Sequence, residues 1–166
     1  MSYPKNKNKG VSLIEIVIAC SIISITLLVL VSVYSAVAKY SLSNVRTLKG
    51  TQLVEESVEV LHYLRDSGYA RNIGALTNGT IYHLYWDANV NSGSWTATTT
   101  NILLESRFQI NVVLSQVSRD ASFNVVSSGG TVDTGSRKAT VSVSWKEGTS
   151  TTTKSAETYL FNTFNN

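Results

Sequence analysis

Residues 9–15 read KGVSLIE, and a long apolar run follows them directly. Residues 11–38 contain 28 positions, and Glu15 is the only charged residue among them. About 20 apolar residues are enough to cross a bilayer as a helix. A carboxylate inside such a segment is costly, so an ionisable residue there indicates a function. The stretch therefore predicts a membrane-spanning helix in which Glu15 has a specific role.

The charge of Glu15 requires a partner, yet no basic residue occurs between Lys9 and Lys39. Cleavage of the chain after Gly10 would create one, because it would leave an α-ammonium group on Val11. That group would lie four residues before Glu15 and on the same helix face. Cleavage between Gly10 and Val11 would therefore supply the cation that Glu15 lacks.

This stretch resembles the prepilin signal of type IV pilins and type II secretion pseudopilins. The resemblance covers residues 5–38: a short basic leader ending in Gly, a new N-terminal residue, and a retained apolar helix with one acid. It implies that prepilin peptidase cleaves after Gly10 and that the amino group of Val11 is methylated. It also implies that Glu15 pairs with an N-terminal ammonium, typically a neighbouring subunit's, as a filament grows.

Two residues depart from the usual pattern of the family. Val11 stands where Phe or Met is more common, and Ser32 stands where many major pilins have a helix-bending Pro. Both departures favour a minor subunit, and Ser32 predicts a helix that continues through this position.

Two other interpretations of the N-terminus deserve comparison. Residues 17–20 read VIAC and resemble a lipobox with Cys20 as the lipidated residue, but here the apolar run continues past the cysteine. Residues 36–38 read AVA and match a signal peptidase site, whose use would discard an unusually long apolar region that contains a charge. The prepilin interpretation is favoured over both.

Composition limits the class of protein. The chain has 166 residues and a net charge of +3, but three lysines precede Gly10 and no acid does. From Val11 onward, 11 basic residues balance 11 acidic ones, so the charge does not indicate nucleic-acid binding. The lysines instead favour a leader on the cytoplasmic side of the membrane. Cys20 is the only cysteine, which excludes an intrachain disulfide.

The patterning predicts an α+β, pilin-like fold, in which a long N-terminal helix packs on a small antiparallel β-sheet. Residues 39–68 keep helical periodicity and form an amphipathic half that ends near Asp66, with Gly68 just beyond it and Gly50 as a weak point. Residues 108–114 and 139–145 alternate as half-buried strands do. The predicted sheet has four to six strands, two of them at residues 80–86 and 158–164.

The predicted organisation has four parts. They are a prepilin leader at 1–10, a transmembrane or filament-core helix at 11–38, the amphipathic half of the helix at 39–68, and an antiparallel β head at 69–166.

Candidate sites for chemistry in the head are sparse. Asp87, Asn89 and Asn91 offer oxygen ligands at alternate positions, like the start of a calcium loop. Gly93 falls one residue late for such a loop, and no Glu closes it, so a polar connection between strands is the favoured interpretation. His62 and His83 lack metal-ligand spacing. For the head we therefore predict no metal site, no cofactor and no enzymatic activity.

The resemblance implies a structural subunit of a type IV pilus-like filament, either a minor pilin or a pseudopilin. Its implied partners are prepilin peptidase, other pilin subunits in a helical filament, an inner-membrane assembly platform, and membrane lipid before assembly. Its implied location is the inner (cytoplasmic) membrane as a single-pass protein with the head outside, and then a cell-surface filament. The alternative is a binding module at the filament tip, for adhesion or DNA uptake, with exposed tryptophans as contacts. Packing of the three tryptophans into the core is favoured over such a patch.

Overall fold

The computed structural model describes residues 12–88 and 93–164 of the chain. Helix α1 covers Leu13–Asp66, and a π-helical turn follows at Ala70–Gly74. The strands are β1 (Ile81–Asp87), β2 (Ser94–Thr98), β3 (Leu103–Leu104), β4 (Phe108–Arg119), β5 (Val125–Val126), β6 (Thr131–Glu147) and β7 (Ser150–Phe161). The chain forms two compact units, residues 1–44 and 45–166. A long apolar N-terminal helix packed on an antiparallel sheet confirms the predicted α+β class.

The second unit is organised around one antiparallel sheet with the strand order β2-β1-β4-β6-β7. The short strands β3 and β5 both pair with β4. Glu147 pairs with Ser150, so a two-residue turn joins β6 to β7, and Gly148 has the positive φ of 62° that such turns require. The predicted alternation in β6 is confirmed, because Val141, Val143 and Trp145 are all buried.

The core of this unit lies between one face of α1 and one face of the sheet. The helix contributes Leu53, Val54, Val60, Leu61 and Leu64, all of them buried. The helix ends at Asp66, as predicted, and Gly68 follows with a φ of 147°. The side-chain amide of Asn72 donates to the carbonyl of Leu64 at 3.0 Å and so satisfies a backbone acceptor at the helix end.

The prediction of four to six strands was too low, since the sheet has seven strands within the described residues. The sequence analysis did not identify β3 and β5, because each has two residues and exists only through its pairing with β4. The prediction of a strand at 158–164 was wrong in its bounds. Strand β7 begins at Ser150, since its polar first half pairs with β6 throughout, and Leu160 is its only buried residue.

Gly50 is a packing residue rather than the weak point that was predicted. It is buried on α1, and a Cβ added there would lie 2.3 Å from a ring atom of Trp145. The indole is 2% exposed and packs at 5.7 Å from the ring of Phe108. The missing side chain therefore allows the helix backbone to lie directly against the largest residue of the core.

Gly50→Ala tests this contact. Helix propensity alone predicts a gain of up to about 1 kcal/mol, but the clash with Trp145 predicts a net loss of about 1–3 kcal/mol in the free energy of unfolding. Denaturant unfolding of the two proteins measures the difference. Trp145→Phe is the matched control, because a smaller ring makes room for the methyl group and reduces the penalty of Gly50→Ala in the double variant. A stabilised single variant would contradict the proposed contact.

A polar cluster lies where the pairing of β4 with β6 is irregular. Gln116 pairs with Arg137, but the next residue of β4, Val117, pairs with Asp133. The carboxylate of Asp133 accepts hydrogen bonds from Arg119 Nε at 2.6 Å, from Ser136 Oγ at 2.5 Å and from the Gly135 N–H at 2.9 Å. These hydrogen bonds hold the pKa of Asp133 below its ordinary value, and the hydrogen bond from Arg119 is the largest cause. The cluster therefore stabilises the fold while Asp133 is ionised.

Asp133→Asn is expected to lower the free energy of unfolding at neutral pH by about 1.5 kcal/mol, because charged hydrogen bonds become neutral ones. A carboxylate whose folded pKa is lowered contributes stability above its unfolded pKa of about 3.9, and loses it as the pH falls through the folded pKa. The difference between wild type and variant should therefore shrink as the pH falls below about 4 in thermal unfolding experiments. Glu55→Gln, at an exposed position of α1, is the control. A difference that stays constant with pH would contradict this assignment.

Candidate functional site

The apolar part of α1 is exposed along its whole length. Every described residue from Ser12 to Leu42 is exposed, including large side chains such as Leu13, Ile23 and Leu30. Among the residues that the structure describes, α1 is the one helix long and apolar enough to cross a membrane, by length and composition. An apolar surface of this size indicates a lipid or protein environment rather than water.

Four hydroxyl groups within this segment are satisfied by the helix itself. Ser21, Ser24 and Ser32 each donate to the carbonyl four residues earlier, at 2.8–2.9 Å. Thr26 donates to the carbonyls of both the third and the fourth preceding residues. Because their hydrogen bonds are internal, these side chains can lie in hydrocarbon without seeking an external partner. The helix also runs on through Ser32, as predicted.

Glu15 lies in the first turn of α1. Its backbone N–H donates to the carbonyl of Ser12 at 3.0 Å, so the residue is part of the opening turn. A carboxylate at this end of a helix interacts favourably with the unsatisfied N–H groups of the first turn. The ion pairs of residues 12–88 and 93–164 do not include Glu15. Within the described chain, the carboxylate is therefore an exposed charge without a basic partner.

Four of the predicted site residues are outside the part of the chain that the structure describes. Gly10 and Val11, the predicted cleavage residues, lie outside the described residues, and so do Asn89 and Asn91 of the candidate calcium loop. Asp87, the first residue of that loop, is the last residue of β1. Within the described ranges, no group of three or more His, Cys, Asp or Glu side chains is placed to hold a metal.

The two histidines have structural contacts. His83 is buried on β1, and its Nδ1 donates to the carbonyl of Ile110 at 2.7 Å. His62 Nε2 lies 3.2 Å from Thr158 Oγ1, which joins α1 to β7. Both contacts tie elements of the fold together.

The tryptophans divide between two environments. Trp145 is in the core, as predicted, but Trp86 is 52% exposed and the prediction of core packing was wrong for it. Trp86 pairs with Trp95 across the β1–β2 hairpin, and their ring centroids are 5.7 Å apart at an interplanar angle of 75°. The sequence analysis did not identify this pair. Its only signal was the symmetric placement of the two residues on either side of the loop that joins the strands.

Comparison with known proteins identifies the N-terminal segment. Residues 5–31 match the family model of the prokaryotic N-terminal methylation motif, which is the prepilin signal of type IV pilins and pseudopilins. No curated protein and no solved structure matches the chain.

The apolar helix and the motif together fit a membrane-anchored pilin, and the motif points to a structural subunit. The chain therefore carries a prepilin signal, and this signal supports a type IV pilin-like or pseudopilin subunit.

Proposed function

We propose that the protein is a minor type IV pilin or pseudopilin, a subunit of a helical filament. One observation carries the proposal: the prepilin motif at residues 5–31 precedes and overlaps a helix whose apolar side chains are exposed from Leu13 to Leu42. Such a surface requires lipid before assembly and neighbouring helices afterwards. In this proposal residues 11–38 form the filament core, residues 39–68 are the amphipathic half of the helix, and the head at 69–166 lies outside the cell membrane.

Maturation precedes assembly in this proposal. The three lysines of the leader, residues 1–10, hold it on the cytoplasmic face of the inner membrane. Prepilin peptidase cleaves after Gly10, and the amino group of Val11 becomes the methylated N-terminus. An assembly platform in the inner membrane then takes the single-pass subunit from lipid into the filament.

Glu15 supplies the direction of assembly. Transfer of the apolar helix from lipid to a bundle of similar helices gains little from the hydrophobic effect, since both environments are apolar. The carboxylate, in contrast, has no cation among the described residues, and its charge is costly in hydrocarbon. At the filament base, the N-terminal ammonium of a neighbouring subunit offsets that charge. The ion pair therefore favours the assembled state and sets the register of the added subunit.

Glu15→Ala tests this mechanism. We expect incorporation into filaments to fall by at least about tenfold, because the variant lacks the charge pair that favours assembly. Membrane insertion should persist, since the apolar segment is intact. Quantitative immunoblotting of sheared filaments against the membrane fraction measures both.

Glu55→Ala is the matched control for that experiment, because it removes the same group from an exposed position of α1 beyond the apolar segment. It should leave incorporation unchanged. Normal incorporation of Glu15→Ala would contradict the role of the ion pair, although the processing proposal would survive.

Gly10→Glu tests processing separately. A charged side chain in place of the glycine is expected to block the peptidase and leave a full-length precursor in the membrane, which gel mobility detects. Mass spectrometry of the wild-type N-terminus should find a chain that begins at methylated Val11. A native chain that begins elsewhere would overturn the proposed cleavage.

A second candidate function is supported by Trp86, whose ring is half exposed beside Trp95. In this alternative the head is located at the filament tip and binds a surface or DNA. Labelling of the head on intact filaments distinguishes the two cases, because tip binding requires label at filament ends. DNA retention by wild type and not by Trp86→Ala would add nucleic acid as a partner.

A further inference from the structure

Three aromatic rings line one depression on the surface of the second unit. Trp86 and Trp95 contact each other edge to face across the β1–β2 hairpin, and Tyr63 of α1 lines the same depression. The depression has a volume of about 370 Å³, and its remaining lining comes from Val60, Glu56 and Glu59. Tyr63 and Trp86 are each 52% exposed, which leaves large parts of both side chains open to a ligand.

The depression carries two negative charges that nothing in the described chain balances. Glu56 and Glu59 are three residues apart on α1, so their side chains are neighbours on the helix surface and repel each other. Neither belongs to any ion pair of residues 12–88 and 93–164. A bound cation would remove this repulsion, whereas an anion would increase it.

An apolar cavity adjoins the depression. It has a volume of about 290 Å³ and shares Glu56, Val60, Trp86 and Trp95 with the depression. Most of its lining is apolar and includes the buried Leu84 and the partly exposed Ile102 and Leu104. A ligand can therefore place a charged group among the rings and an apolar group in the cavity.

The backbone at Gly93 packs against the indole of Trp86. Gly93 has a positive φ of 67°, and a Cβ added to it would lie 2.3 Å from a ring atom of Trp86. The backbone before β2 therefore lies against the indole. This contact restricts the ring in the absence of a ligand, so the ring loses less conformational freedom on binding.

We propose that this surface, which we call the aromatic cage (Tyr63, Trp86, Trp95, Glu56 and Glu59), binds an alkylammonium ion. The rings attract the cation through the negative charge density of their faces, and tryptophan is the strongest side chain in this interaction. The two carboxylates add charge complementarity. The alkyl chain of the ligand occupies the cavity between α1 and the sheet. This function is separate from filament assembly, since it uses no residue of the apolar helix segment.

Titration of the full-length protein in a non-ionic detergent tests the proposal, with tetramethylammonium, butyltrimethylammonium and hexyltrimethylammonium as probes. The chain has three tryptophans, so its indole N–H signals in a nitrogen–proton correlation spectrum report on the cage directly. We expect the signals of Trp86 and Trp95 to shift and that of the buried Trp145 to stay. Affinity should rise about threefold per added methylene until the cavity is full.

Charge variants separate cation binding from plain apolar binding. Glu56→Gln and Glu59→Gln should each weaken binding of the butyl probe by about threefold to tenfold, and should leave binding of its neutral analogue, with carbon in place of nitrogen, unchanged. Glu55→Gln is the matched control, because Glu55 lies on the same turn of α1 but lines neither the depression nor the cavity. Trp86→Phe retains a ring and should weaken binding less than Trp86→Ala.

Three results would overturn the proposal. They are an absence of shifts at Trp86 and Trp95, equal binding of the neutral analogue, and a loss of affinity in Glu55→Gln as large as in Glu56→Gln.

Discussion

The main physical constraint on the first unit is one carboxylate, that of Glu15, in a helix segment whose other side chains are uncharged. From Leu13 to Leu42 the helix exposes apolar side chains, and its serines and threonines at 21, 24, 26 and 32 return their hydrogen bonds to their own backbone. The side chain of Glu15 cannot donate to the backbone in this way, because a carboxylate only accepts hydrogen bonds. Its charge also needs a counter-charge. Lipid and a bundle of helices are almost equally good solvents for the apolar surface. In the proposed assembly, the charge of Glu15 is therefore the property of this segment that distinguishes lipid from a bundle of helices.

The second unit is stabilised by packing and hydrogen bonds within the chain. Its part of α1 is apolar on one side only, and that side is buried against the sheet through the contact of Gly50 with Trp145. The polar cluster of Arg119, Asp133 and Ser136 holds the irregular pairing of β4 with β6. One helix therefore meets two requirements. The side chains of its first part are exposed and mostly apolar, whereas one side of its second part is buried against the sheet.

Much of this architecture was predictable from local patterns. The apolar run and the single acid at Glu15 are visible in the order of residues alone, and so is the end of the helix at Asp66. The alternation of Val141, Val143 and Trp145 indicated a half-buried strand, because period-two burial requires no knowledge of the partner strand. The first half of β7 was missed for the converse reason. Its residues are polar and exposed, and only their hydrogen bonds to β6 make them a strand.

The sequence by itself determined the prepilin signal, the apolar helix and the fold class, because these depend on the spacing of residues a few positions apart. The tertiary structure alone decided that Gly50 lies against Trp145 and that Tyr63 lines one depression with Trp86 and Trp95. These contacts join residues that are distant in the chain, and they depend on the register of the strands and on which side of α1 is turned to the sheet. A one-residue change in strand register would move Trp86 to the other face of its strand and remove the cage.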